Sequence, residues 1–218
     1  MKNILIIGLG RLGRHTARKL SEMGHQVLAV DMNEDRVNEA MSFVTDAMIG
    51  DATKEDFLKS LGVGNFDVCI CAIGDDFQSS LEITSQLKEL GAQCVVSRAA
   101  NDIHEKFLRR NGADDVIYPE KQLAEQVAIR YSSEYILDYL PVGNSYAVYE
   151  IRVPQDWMGR TLAQLDIRRR YHLNVVGIKL AGGLISEVGA DTLLEEGQTL
   201  LVMSNEKDIQ RFVAENDR

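Results

Sequence analysis

Gly8-Leu9-Gly10-Arg11-Leu12-Gly13 restricts this chain more than any other segment, because it joins an apolar run to an amphipathic stretch. Ile4-Leu5-Ile6-Ile7, just before it, reads as a buried parallel strand. At this spacing Gly8 permits a tight turn and Gly10 lets the backbone approach a pyrophosphate. Gly13 lets the following helix pack closely on the sheet. The start of that helix offers unpaired N–H groups and a partial positive charge to phosphates. Val27-Leu28-Ala29-Val30 reads as the second strand. Asp31 closes it at the distance expected of an acid that binds adenine-ribose hydroxyls. Such an acid repels a 2′-phosphate, which disfavours NADP.

Strand and helix signals keep alternating after Asp31. A helix over about 33–42, with Asn33 as N-cap, precedes a short strand at Ala47-Met48-Ile49. A helix over 54–61 leads into the most apolar strand, Val68 to Ile73. Helices over 77–90 and 102–111 then alternate with strands at 94–97 and 115–118. Six strands with intervening helices predict a doubly wound, Rossmann-like parallel sheet. Pro119 opens a further helix with Leu123, Val127 and Tyr131 at helical spacing. Beyond it the pattern changes. Turn chemistry at Leu140 to Asn144 precedes alternating Tyr146, Val148, Glu150 and Arg152, a half-exposed strand. Further strands are expected at 175–178 and 199–203, with a Gly182-Gly183 hairpin turn and Asn205 capping a final helix. The chain therefore divides into a nucleotide-binding domain over 1–133 and a small, mostly antiparallel α+β domain over 134–218.

A formal charge of −9 argues against binding nucleic acid through a general basic surface. No uncharged apolar run approaches the roughly 20 residues of a membrane span. The first strand begins so early that a signal peptide is not expected. Cys69 and Cys71 alternate with apolar residues and read as buried small hydrophobes or, alternatively, as a metal or redox pair.

Ligands of open parallel sheets lie outside the carboxyl ends of the strands, where strand order reverses. That rule gathers Gly8, Gly10, Arg11, Leu12, Gly13 and Asp31 with Asp51, Ala52, Thr53, Ile73, Gly74 and Arg98. Asp51 either accepts from an adenine amine or caps the next helix. Gly74 admits a ligand or simply turns the chain. Arg11 and Arg98 suit terminal phosphates, although Arg11 also reads as a solvated arginine on a first helical turn. Catalytic groups are harder to find. No tyrosine is followed by lysine at the spacing of short-chain dehydrogenases, and His15, His25, His104 and His172 join no visible catalytic group.

The combined pattern resembles the cytosolic regulator-of-potassium-conductance subunits of Trk and Ktr potassium uptake systems, closest to the short Ktr type. The carrying residues are Ile7 to Gly13, Val30-Asp31, Gly50 to Thr53, Ala72-Ile73-Gly74, Arg98 to Asn101, Gly112 to Asp114 and Tyr118 to Lys121. The resemblance implies a cytoplasmic, non-enzymatic subunit beneath a membrane-embedded potassium channel or transporter subunit. Dimers of it would assemble into an octameric ring whose geometry follows ATP against ADP, or NADH against NAD. It also implies that Arg11 reaches a terminal phosphate and that Glu120 lies at a divalent-cation (Mg or Ca) position. Glu120 reads equally as a carboxylate in a first helical turn. Cyclic di-AMP is implied at the second domain, where Arg168-Arg169-Arg170 is either a phosphate cluster or a solvated helix end; Ile185 to Val188 lacks the proline usual there. The rivals are a small NAD-dependent oxidoreductase and a regulatory domain of another cation transporter or antiporter.

Overall fold

Every residue of β1 (Asn3–Ile7) after the first is buried, as an apolar strand inside a parallel sheet requires. In the computed structural model, which describes residues 1–143, 145–180, 183–185 and 188–216, the chain folds as two units, 1–120 and 121–218. In the first unit β1 pairs in parallel with β2 (Gln26–Asp31) and β4 (Val68–Cys71). β3 (Asp46–Ile49), β5 (Val95–Arg98) and β6 (Asp115–Ile117) complete a sheet of order β3-β2-β1-β4-β5-β6. The crossovers are α1 (Arg11–Glu22), α2 (Glu34–Ala40), α3 (Glu55–Ser60), α4 (Phe77–Glu89) and α5 (Asp102–Arg110). The doubly wound sheet predicted from the sequence is therefore present, and its order reverses between β1 and β4.

Three crossover helices start on side-chain caps. Asn33, Asp76 and Asn101 accept from the N–H groups of Arg36, Ser79 and His104, at 3.0, 3.1 and 2.8 Å. β4 stops at Cys71 rather than Ile73, and Ile73-Gly74 enters the loop above β1. Cys69 and Cys71 are free, fully buried and packed with Leu5, Ile7 and Val95, so they serve as small hydrophobes. Burial pushes the Cys69 thiol up to about 12.

α6 (Pro119–Arg130) carries the chain from the first unit into the second. There β7 (Ile136–Val142), β8 (Tyr146–Arg152), β9 (Asn174–Leu180), β10 (Gly183–Ile185) and β11 (Thr199–Asn205) form an antiparallel sheet, β10-β9-β11-β8-β7. Short helices α7 (Leu162–Leu165) and α8 (Ile167–Tyr171) precede β9, and α9 (Glu206–Asn216) closes the unit. Asn205 does cap α9, accepting from the Asp208 N–H at 2.9 Å. The core gathers Trp157, Tyr171 and Phe212 with Ile151, Ile178 and Leu200.

One turn expectation is corrected. Leu140 to Val142 are strand, not turn, because β7 is the outer strand and tolerates the missing N–H of Pro141. The chain reverses at Gly143, whose φ is +74°; Asn144 and Gly182 lie outside the described residues.

Candidate functional site

The turn between β1 and α1 uses its three glycines differently. Gly8 has φ +94°, and a Cβ built there would sit 2.8 Å from Ile73 Cγ1. A Cβ on Gly13 would run into the Gly8 carbonyl oxygen and lie 3.1 Å from the Ala72 Cβ. The fold itself therefore requires both. Gly10 is different: its φ of −62° suits any residue, and nothing lies within 4 Å of a Cβ built on it. Gly10 is also the N-cap of α1, which has no side-chain cap and no acid in its first turn. The first-turn N–H groups, beside Arg11, Leu12 and Gly13, thus lack a capping acceptor from the chain.

Asp31 sits beneath this turn and is almost fully buried. Its Oδ2 accepts the Leu9 N–H at 2.6 Å, and its Oδ1 accepts the Asn33 N–H at 2.8 Å. Arg36 Nη1 approaches the same carboxylate at 3.5 Å. Arg36 was not among the residues read from the sequence; its place on the first turn of α2, five residues after the acid, was the available signal.

Asp51 does not cap α3, whose N-cap is Lys54. Its carboxylate instead accepts from the Thr53 hydroxyl at 2.7 Å and the Thr53 N–H at 3.0 Å, and those bonds hold it below the usual aspartate value of 3.8. Ala52 faces inward and packs with Leu58 and Val63. Its contribution to a ligand surface is therefore confined to backbone.

Ile73 and Gly74 connect the glycine turn to Arg98. A Cβ on Gly74 would lie 2.8 Å from the Arg98 Cζ, so the guanidinium occupies the space a side chain would need. Arg98 Nη2 bonds Glu120 Oε1 at 2.8 Å, and Nη1 lies 3.7 Å from Asp75 Oδ1. The Glu120 carboxyl is held below the usual glutamate value by its own backbone N–H, by Arg98 and by the charge of Arg11. Among the described residues no three His, Cys, Asp or Glu side chains converge as metal ligands. Glu120 has cations for neighbours, so the residues of one chain do not fit a divalent cation.

His104 lies fully buried on the first turn of α5, accepting the Ala100 N–H at 3.3 Å on Nδ1 and packing 4.8 Å from the Phe77 ring. Burial first, and the charge of Arg98 second, push its pKa below 6.5. His15 and His172 are exposed, while His25 accepts the Lys2 N–H at 3.2 Å. On α8, Arg168, Arg169 and Arg170 are exposed. Arg169 lies 3.8 Å from Asp166, and Arg170 lies over the Tyr171 ring. Ser186 and Glu187, from the segment noted for its missing proline, lie outside the described residues.

The TrkA-N domain family matches residues 4–119 and the TrkA-C domain family matches residues 148–216. Over 211 residues the chain is 40% identical to Ktr system potassium uptake protein C of Bacillus subtilis (strain 168), covering 97% of this chain and 96% of that protein. It is 36% identical to Ktr system potassium uptake protein A of the same organism over 211 residues, 97% of this chain and 95% of the relative. The fold matches that of the GsuK channel bound to NAD, with TM-score 0.70 and 21% identity over 95% of this chain and 38% of that chain.

Proposed function

The chain belongs to the TrkA-N and TrkA-C domain family of the Ktr potassium uptake proteins, and from that premise we propose a nucleotide-sensing regulatory subunit of a potassium uptake system. Gly10 carries the nucleotide reading. Neither its backbone angles nor its surroundings require a glycine, whereas a pyrophosphate approaching the uncapped start of α1 does. The 1–133 segment is the nucleotide-binding regulatory domain in this reading, and 134–218 is the second regulatory domain.

Gly8, Gly10, Leu12 and Gly13 line the pyrophosphate through their backbone, and Asp31 and Arg36 face the adenine ribose. Asp51, Ala52 and Thr53 lie toward the adenine, while Ile73 and Gly74 form the opposite wall. Arg11 and Arg98 supply charge to terminal phosphates. ATP and ADP share an adenosine diphosphate moiety with NAD and NADH, so this arrangement accepts either pair. Cyclic di-AMP phosphates would pair with Arg168 to Arg170. The protein is not an enzyme in this account: it works by binding.

A ligand shifts a conformational equilibrium only by its difference in affinity for the two states. The states here are two geometries of a ring, built from dimers into an octamer, on the cytoplasmic side of a membrane potassium channel or transporter subunit. Among the described residues no helix is long and apolar enough to cross a membrane, and in this reading the pore belongs to that partner. Reconstitution of this chain with the membrane subunit tests the function. Potassium flux should change with ATP against ADP, or with NADH against NAD. Flux that is identical with and without the chain contradicts the proposal. Turnover of a nicotinamide cofactor with a small substrate would favour the oxidoreductase rival.

A further inference from the structure

We propose that Arg36 sets the selectivity of the site at the 2′ position of the adenine ribose, so that the Asp31–Arg36 pair accepts a 2′-hydroxyl and also admits a 2′-phosphate; the inference rests on the nucleotide reading above. An acid at the end of the second strand, taken by itself, repels a 2′-phosphate. Asp31 does not stand by itself. Its Oδ2 accepts the Leu9 N–H at 2.6 Å and faces Arg36 Nη1 at 3.5 Å, and its Oδ1 accepts the Asn33 N–H at 2.8 Å. An ionised carboxylate offers about four lone-pair positions, so little acceptor capacity is left for a ribose. One hydroxyl can still be taken there, whereas a grip on both hydroxyls requires Arg36 to move aside.

The two members of the pair are unequally placed. The Asp31 side chain is 8% exposed and the Arg36 side chain 54% exposed. The acid is fixed beneath the glycine turn, while the guanidinium stands at the rim in water. A single 3.5 Å contact is not the two-bond fork of a tight arginine–carboxylate pair, and solvent around Arg36 weakens it further. Arg36 can therefore turn from Asp31 to another anion without breaking the Leu9 and Asn33 bonds that order the two loops. A 2′-phosphate carries more charge than a carboxylate and meets a planar guanidinium with two parallel bonds. Glu34 and Asp35, beside Arg36 in the first turn of α2, are exposed and oppose that phosphate only weakly across water. The local charge that a 2′-phosphate meets is thus a neutral pair with a movable cation, not a bare acid.

The test is calorimetric titration of the full chain with two ligand pairs that differ only by a 2′-phosphate: NAD against NADP, and ADP against its 2′-phosphorylated form. In whichever pair binds, the wild-type chain should take the 2′-phosphorylated member within about tenfold of the other. Arg36→Ala should cost the 2′-phosphorylated ligand about tenfold more than it costs its partner. Arg36→Lys keeps the charge and loses the fork, so its selectivity should fall between the two, and it guards against a folding defect in the alanine variant. Exclusion of the 2′-phosphorylated ligand by the wild-type chain, or equal effects of Arg36→Ala and Arg36→Lys on both members of a pair, would overturn the inference while leaving the nucleotide reading intact. Failure of the wild-type chain to bind any of the four would overturn both.

Discussion

The Asp31 carboxylate holds the Leu9 N–H at 2.6 Å, tying the end of β2 to the middle of the glycine turn. A residue read from sequence as a ribose acid is thus also a clamp on the loop that would cradle phosphates. The same carboxylate accepts from Asn33, the cap of α2, so one side chain orders two loops at the ligand end of the sheet. If Asp31 holds a ribose as proposed, ligand affinity and local stability are coupled at this position.

Asp31→Ala removes two charge-assisted bonds and leaves the Leu9 N–H without its acceptor. The loss should be about 2–3 kcal/mol. Urea unfolding followed by circular dichroism would measure it, and a change under about 0.5 kcal/mol would show that the clamp is unimportant.

Gly10→Ala and Gly13→Ala should separate ligand from fold. At Gly10 the backbone is compatible with alanine and the space is open, so stability should stay level or rise by about 0.5 kcal/mol. At Gly13 the new methyl meets the Gly8 carbonyl, and a loss of about 3 kcal/mol is expected. Similar thermal shifts for the two variants would contradict this division.

His104 should make the fold sensitive to mild acid. Burial and the Arg98 charge lower its folded-state pKa below the ordinary 6.5, so the folded chain resists a proton that the unfolded chain accepts. The contribution is complete above about pH 6.5, falls as pH drops below that value, and levels off below the folded pKa. His104→Gln should flatten the difference in unfolding free energy between pH 7.5 and 5.5. An unchanged slope would assign the acid sensitivity elsewhere.

Phe212 should be a major determinant of the second unit. It is fully buried, with ring centroids of Trp157, Tyr171 and Tyr135 at 5.5, 5.6 and 5.9 Å. Phe212→Ala should cost about 3–5 kcal/mol. Trp157 is the chain's single tryptophan, so its fluorescence reports the unit directly. A transition midpoint that does not move would contradict the assigned core.

The first unit was largely legible because its signals are local: a buried strand reads as Ile-Leu-Ile-Ile, and Asn33 marks the start of α2, whereas the caps Asp76 and Asn101 emerged from the structure. The partnerships of Arg98 were not legible, since Glu120 and Gly74 approach it across 22 and 24 residues and share no spacing rule with it. Asp51 was open between accepting from an adenine amine and capping the next helix; its turn with Thr53 was not foreseen, because an Asx turn and a helix cap use the same residue types. β7 was read partly as turn because Pro141 and Gly143 carry turn chemistry, and only its outer place in the sheet makes a proline acceptable there.

The central claim is that this chain senses an adenine nucleotide through the glycine turn. Calorimetric titration of the wild-type chain and Gly10→Ala with ATP, ADP, NAD and NADH tests it most directly. The account predicts saturable binding of at least one pair by the wild-type chain, weakened tenfold or more (about 1.4 kcal/mol) in Gly10→Ala with stability intact. Absence of binding for all four, or equal affinity in the two proteins, would contradict it.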